Sequence, residues 1–294
     1  MGAVVDIRIT HRALLSRLLP EDDPAVVAVR RGQFHHVVIG SDRVVCLART
    51  RAAAARLPGR AAVLRTLGGL DLGFRTPEPL LEGGAGGVPF LVLDRIPGEP
   101  LDGAVLRDPL MAEAVAGQYA ALLAGLRRAG ADETVRAVLP REPEDRWRRF
   151  GDGVRAELFR RMSDDGRRRA ERELAAVDGL PHLGRAVVHG DLGAENVLWE
   201  WRDGLPRLAG VLDWDDVALG DPAEDLAALA AGHGDELLGR VLALGPGQEE
   251  GLASRVAAIR ATFALQQALA AVRDGDEEEL ADGLSGYLGV RGLS

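Results

Sequence analysis

The 294-residue sequence predicts an α+β protein, with a small antiparallel β-sheet lobe carrying one main helix and a larger, mostly helical C-terminal lobe. Three observations predict it. Residues 26–48 read as three short apolar runs parted by Arg-Gly and Gly-Ser-Asp turns, a β-meander pattern. From residue 102 onward the apolar spacing is mostly helical. Within that stretch two short apolar runs, RAVVHGD (185–191) and LAGVLDWDD (208–216), each close on an Asp.

In chain order, HRALLSRLL (11–19) has helical apolar spacing and leads into the meander. Residues 50–69 are rich in Ala, Leu and Arg and predict a helix, with a break or fresh start at Pro58-Gly59. VPFLVLDRI (88–96) reads as a further strand, and PGEPL (97–101) as a hinge without regular structure. Helices are expected over 109–129, 145–178, 222–244 and 252–273. The Arg-rich run in 145–178 is interleaved with acids, which predicts a solvated face laced with intrahelical ion pairs, not a polyanion site. The expected division is a nucleotide-binding lobe at 1–96 and a catalytic and substrate-binding lobe at 97–294.

Composition narrows the function classes. No apolar stretch approaches the roughly 20 residues a membrane span needs, and MGAVVDIRIT lacks a signal-peptide pattern, so a cytoplasmic protein is expected. Cys46 is the single cysteine, which rules out an internal disulfide framework or a multi-cysteine metal cage. No lysine occurs, so all 36 basic residues are Arg, and any task usually given to Lys falls to Arg. Residues 1–100 hold 13 Arg against 10 acids, whereas 101–294 hold 23 Arg against 35 acids, the deficit lying beyond residue 180. An acidic C-terminal part argues against nucleic acid or anionic membrane as partner and favours a cationic one. Oligomeric state is not encoded in any motif.

Chemistry enters at AVVHGDLGAENVLW (186–199). Phosphoryl transfer to a hydroxyl needs a carboxylate to receive the proton, oxygen ligands for Mg2+ and cations near the phosphates. A kinase catalytic loop supplies an Asp followed five positions later by an Asn, the spacing of Asp191 and Asn196. Asp213, directly after the apolar Val211-Leu212, is placed to be a second Mg2+ ligand at a strand end. A His-Gly-Asp turn after a strand is most often only a turn; it is the conjunction with Asn196 and Asp213 that makes the functional reading the better account.

These residues carry a resemblance. VVHGDLGAENVL (187–198) followed by VLDWDDVALGDPAEDLA (211–227) resembles the aminoglycoside phosphotransferase family, small-molecule kinases of bilobal protein-kinase-like fold. The resemblance implies Asp191 as catalytic base, Asn196 and Asp213 as Mg2+ ligands, Asp221 as a brace of the catalytic loop and His189 as its orienting residue. It implies ATP as phosphoryl donor, with GTP an alternative, and nucleotide contacts from Phe34 and His35 near Gly32-Gln33-Phe34 and from Asp94 and Ile96 in FLVLDRIPGEPL (90–101). Adjacent His35 and His36 on a strand point to opposite faces, one packed and one exposed. Within the family, THRALLSRLLP, residues 32–65 and residues 263–287 are similar to the phosphotransferases that inactivate viomycin and capreomycin, strongly basic cyclic peptide antibiotics, by phosphorylating a hydroxyl.

The sequence departs from the family at one point. The family usually sets a Lys or Arg on the third strand against a Glu on the next helix, whereas this chain has Cys46 and Arg60 in those slots. The phosphates still need a cation. Arg49, three residues after Cys46, is one candidate, and Arg60 reaching in from the helix over the small Cys46 is the preferred one, since both departures then become a single change. The same departures leave room for a non-catalytic, antibiotic-sequestering relative, and the motifs also suit a kinase of an aminoglycoside or other small metabolite. Expected docking acids for a cationic antibiotic are Glu195, Asp215, Asp216, Asp225, Asp274 and Asp276.

Overall fold

A computed structural model describes residues 6–32, 34–84, 87–245 and 249–288. They form two compact units, the described residues of Met1–Leu139 with Glu195–Asp216, and those of Pro140–Ala194 with Val217–Ser294.

The first unit opens with helices α1 (Ile7–Thr10) and α2 (Arg12–Leu18), followed by the meander β1 (Ala28–Arg31), β2 (His35–Ile39) and β3 (Arg43–Ala48). Helix α3 (Arg51–Gly68) comes next, capped by the Thr50 hydroxyl, which accepts from the Ala53 amide. Strands β4 (Pro79–Gly83) and β5 (Phe90–Asp94) complete an antiparallel sheet of order β1-β2-β3-β5-β4. The two-residue strand β6 (Glu99–Pro100), helix α4 (Pro109–Ala129) and helix α5 (Glu133–Val138) follow.

The sheet's two faces have different tasks. Val45 and Leu47 of β3 and Phe90 and Val92 of β5 pack with Ile7, Leu15, Leu18 and Leu19 of the N-terminal helices. The period of two turns Cys46 to the opposite face, where α3 buries Leu57, Ala61, Leu64 and Leu67. Two expectations are corrected here. Pro58 does not interrupt α3, because the buried residues lie on one stripe before and after it and packing holds the axis through the missing amide. PGEPL is not an unstructured hinge, because Glu99 and Pro100 pair with Trp199 and Leu198 of a later strand.

In the second unit, α6 (Arg146–Gly153) runs through a π turn (Val154–Leu158) and a 3-10 turn (Phe159–Arg161) before α7 (Asp164–Asp178) starts afresh on the Ser163 cap. The single helix expected over 145–178 is therefore broken at Ser163, whose Oγ accepts the Gly166 amide. Strand β7 (Ala186–Val188) ends at the His-Gly-Asp turn. The chain then contributes the hairpin β8 (Val197–Arg202) and β9 (Leu205–Val211) to the first unit, where Gln118 of α4 clamps β9 by donating to the Pro206 carbonyl and accepting from the Leu208 amide. Back in the second unit, β10 (Ala218–Gly220) pairs antiparallel with β7. Helices α8 (Ala223–His233), α9 (Asp235–Leu244), α10 (Leu252–Ala261), α11 (Phe263–Asp274) and α12 (Glu277–Gly283) finish the chain. The spans expected as single helices over 222–244 and 252–273 are each split, at Gly234 and at Thr262. A core of Leu158, Leu174, Leu265, Leu269, Leu280 and Tyr287 joins α7, α11 and α12. No described helix is long and apolar enough to cross a membrane.

Candidate active site

Asn196 immediately precedes β8 and Asp213 lies two residues beyond the end of β9. The antiparallel register sets Val197 against Val211, and the Leu212 amide donates to the Asn196 carbonyl at 2.7 Å. The hairpin thus brings both expected metal ligands to one end of the first unit. Asp213 holds a left-handed φ of 56°, rare for a residue with a Cβ. Its neighbour fixes that bend: Trp214 is buried, donates its indole N–H to the Val211 carbonyl at 2.9 Å and stacks on Phe74. The Asp213 carboxylate remains 53% exposed. Hard oxygen donors from one carboxylate and one amide suit Mg2+, which takes few protein ligands and completes its shell with phosphate and water. Among the described residues no group of three His, Cys, Asp or Glu forms a denser cage.

Arg60 reaches into the same region from α3. Its Nε lies 2.8 Å from Asp215 Oδ1 and its Nη2 lies 3.9 Å from Asp213 Oδ1. Burial pushes the pKa of the Cys46 thiol up, and the charge of the Arg60 guanidinium opposes it. Arg60 also approaches His35 Nδ1 at 3.4 Å. His35 is 5% exposed; burial, then the Arg60 charge, lowers its pKa to about 4, while Asp213 opposes the shift. It is a neutral imidazole at neutral pH. His36, on the other face, is half-buried. Arg49 donates to the Gly32 carbonyl at 2.6 Å, bracing the β1–β2 loop. Phe34 sits under the Arg56 guanidinium, and Gln33 lies outside the described residues.

Three further expected residues have side chains with partners inside the first unit. Asp94 pairs with Arg75 at 2.5 Å and accepts the Glu78 amide, so its carboxylate ties β5 to its neighbours. Ile96 is 3% exposed and crowds Gly210, where an added Cβ would fall 2.9 Å from its side chain. Asp215 is not a free docking acid, since it is the ion-pair partner of Arg60; burial, against the Arg60 charge and helped by Asp213 and Asp216, pushes its carboxyl up to about 6.

In the second unit the His-Gly-Asp turn is held from below. Gly190 adopts φ 87°, a conformation glycine takes without penalty, and this lets the chain leave β7 sharply. Asp225, 1% exposed, accepts from the His189 amide at 2.9 Å and the Gly190 amide at 3.1 Å. Burial, against these two bonds, pushes its carboxyl up to about 7. Two corrections follow. Asp225 is no docking acid, and the loop-bracing role expected of Asp221 belongs to it. Asp221 instead caps α8 at the Ala223 amide and pairs with the buried Arg255 at 2.7 Å. His189 is fully buried and its Nδ1 accepts the Asp191 amide at 3.2 Å, leaving the Asp191 carboxylate exposed.

Of the remaining expected acids, Glu195 and Asp216 are exposed in the first unit. In the second, Asp274 ends α11 and Asp276 caps α12 by accepting the Glu278 and Glu279 amides. Sequence reasoning passed over a network beside Asp191. A cavity of about 190 Å³ is lined by Arg146, Gly190, Asp191, Glu224, Ala228, Ile259, Phe263 and Gln266. Arg146 Nη1 contacts both Glu224, at 2.5 Å, and Glu142. Its partner Glu224 lies 78 positions away, so no local spacing announces the pair.

Comparison with known proteins places these features. The phosphotransferase enzyme family matches residues 29–276. A viomycin phosphotransferase of Streptomyces vinaceus is 69% identical over 281 residues, covering 95% of this chain and 98% of that protein. The structure is similar to the GDP and kanamycin complex of APH(2")-IIIa, with TM-score 0.82, 19% identity and coverage of 95% and 97% of the two chains. It is also similar to the streptomycin–ATP ternary complex of APH(2")-IIa, with TM-score 0.68, 17% identity and 97% coverage of each.

Proposed function

The chain belongs to the phosphotransferase enzyme family, and we propose that it is an ATP- and Mg2+-dependent O-phosphotransferase that inactivates a basic peptide antibiotic of the viomycin or capreomycin type. One observation carries the phosphoryl-transfer reading: the hairpin that sets Asn196 and Asp213 at one end, with the Arg60 guanidinium 3.9 Å from Asp213. The substrate is inferred from the 69% identity to a viomycin phosphotransferase over nearly the whole chain.

On this reading Asp191 accepts the proton of the acceptor hydroxyl, its loop fixed by His189 and by Asp225. Asn196 and Asp213 hold Mg2+, and Arg60 neutralises phosphate charge, kept in place by Asp215. Bound Mg·ATP supplies the phosphoryl group and an activated leaving group. The nucleotide-binding role of residues 1–96 extends to 195–216, which carry Asn196 and Asp213. An ion pair between strand and helix is thereby replaced by one running from α3 to the segment after β9. Arg suits that position because it stays charged when buried and offers several donors.

The test is to incubate the protein with Mg·ATP and, separately, viomycin, capreomycin, hygromycin and kanamycin, reading the mass gain of one phosphoryl group. Modification of the peptides that disappears in Asp191→Asn is expected. Modification of an aminoglycoside but of neither peptide overturns the substrate reading, and transfer surviving in Asp191→Asn overturns the base.

A further inference from the structure

The cavity beside Asp191 has an unbalanced charge. Glu142 and Glu224 share the single guanidinium of Arg146, so two carboxylates face one cation. Glu224 is 9% exposed. An uncompensated carboxylate in so dry a place is costly unless it takes up a proton or a further cation completes the pairing. Burial, the largest influence on Glu224, pushes its carboxyl up; Arg146 opposes this while Glu142 and Asp225 add to it.

The cavity's dimensions and lining describe what could bring that cation. At about 190 Å³ the cavity has room for one arm of an antibiotic. Phe263 contributes an aromatic wall, suited to an ammonium or guanidinium. Gln266 donates its Nε2 to Thr262 Oγ1 at 2.8 Å, which leaves its carbonyl oxygen as the acceptor the amide can offer. Asp191 lines the same space, so an arm seated there is adjacent to the proton acceptor.

We infer that Glu224 is a specificity-determining residue that pairs with a cationic arm of the acceptor next to the hydroxyl to be phosphorylated, with Arg146 as the positioning residue that holds the carboxylate in the cavity. This rests on the reading that the acceptor is a basic antibiotic. Shared between Arg146 and the ligand, Glu224 would satisfy both, and a neutral arm would leave the excess carboxylate unpaired. Selection would then act through the cost of the wrong ligand as well as the attraction of the right one.

The experiment compares viomycin with viomycin mono-acetylated at a primary amine, in wild type, Glu224→Gln and Glu224→Asp. Wild type is expected to favour the free amine by roughly tenfold or more in kcat/KM, and Glu224→Gln to reduce that preference to about twofold. Glu224→Asp, which keeps the charge, should recover part of it. The KM for ATP, unchanged in Glu224→Gln, shows that the variant is folded. A preference retained in full by Glu224→Gln overturns the inference, as does its equal loss in Glu224→Asp. If wild type phosphorylates neither form, the proposed substrate itself has failed. If it phosphorylates both equally, the substrate stands and the Glu224 subsite falls.

Discussion

His35 should make the protein's stability fall on mild acidification by an amount the structure sets. Its imidazole is 5% exposed and its folded pKa is lowered to about 4, from an ordinary value of 6.5. A base with a depressed folded pKa is stabilising above its unfolded value, and that stability is lost as pH falls from 6.5 towards 4. At pH 5 the unfolded chain takes up the proton and the folded one does not, which costs the fold about 2 kcal/mol relative to pH 8, rising to about 3 kcal/mol near pH 4. Asp215 works in the opposite sense. Its folded pKa of about 6 lies above the ordinary 3.8, so acidification through that window relieves the folded state. Urea denaturation in EDTA at pH 8 and pH 5 would separate them, using wild type, His35→Gln and Asp215→Asn. His35→Gln should lose about 2 kcal/mol less than wild type between the two pH values, and Asp215→Asn should lose more. Equal pH dependence in wild type and His35→Gln would refute the reasoning.

Arg255→Met removes the buried partner of Asp221 and should cost about 3–5 kcal/mol in urea denaturation at pH 7, because an uncompensated carboxylate stays behind; a loss below about 1 kcal/mol would contradict the geometry. Asp225→Ala strands the His189 and Gly190 amides, at about 1–3 kcal/mol each, and should lower kcat while leaving the KM for ATP unchanged. Gly98→Ala combines φ 106° with a Cβ placed 2.7 Å from the Trp199 carbonyl oxygen, and should lower stability by about 2 kcal/mol or more through loss of the β6–β8 pairing.

Local pattern and long-range pairing were unequally legible. The meander could be read because β2, β3 and β5 each carry a core-facing alternation bounded by turn residues. Strand β4 could not, since PLLEG has no alternation and leaves Leu80 and Leu81 about half exposed. Glu99-Pro100 has no strand propensity and is ordered only by its partner across the sheet. The long helices were visible as wholes, but not the breaks at Ser163 and Thr262, where the polar residue is decided by tertiary packing. At the site, Asn196 and Asp213 were readable because each abuts an apolar run and the hairpin between them is short. Asp221 and Asp225 carry similar local signals, and only the fold decides which carboxylate meets the loop amides. Arg146 was hidden because it pairs locally with Glu142, as Arg148 and Arg149 do with Asp145, and only its second partner, Glu224, is distant.

A chain without lysine, with Arg60 close to Cys46, has a practical side. ATP analogues that acylate an amine in the phosphate site have nothing to react with in a chain without lysine, so profiling by such reagents would pass this enzyme over. Its chemical handle is the single thiol. Cys46 is 2% exposed with the Arg60 guanidinium beside it, so its rate of alkylation reports whether that arginine is seated or withdrawn. Cys46 thereby becomes a built-in gauge of the position of Arg60, readable with a thiol reagent and no added label.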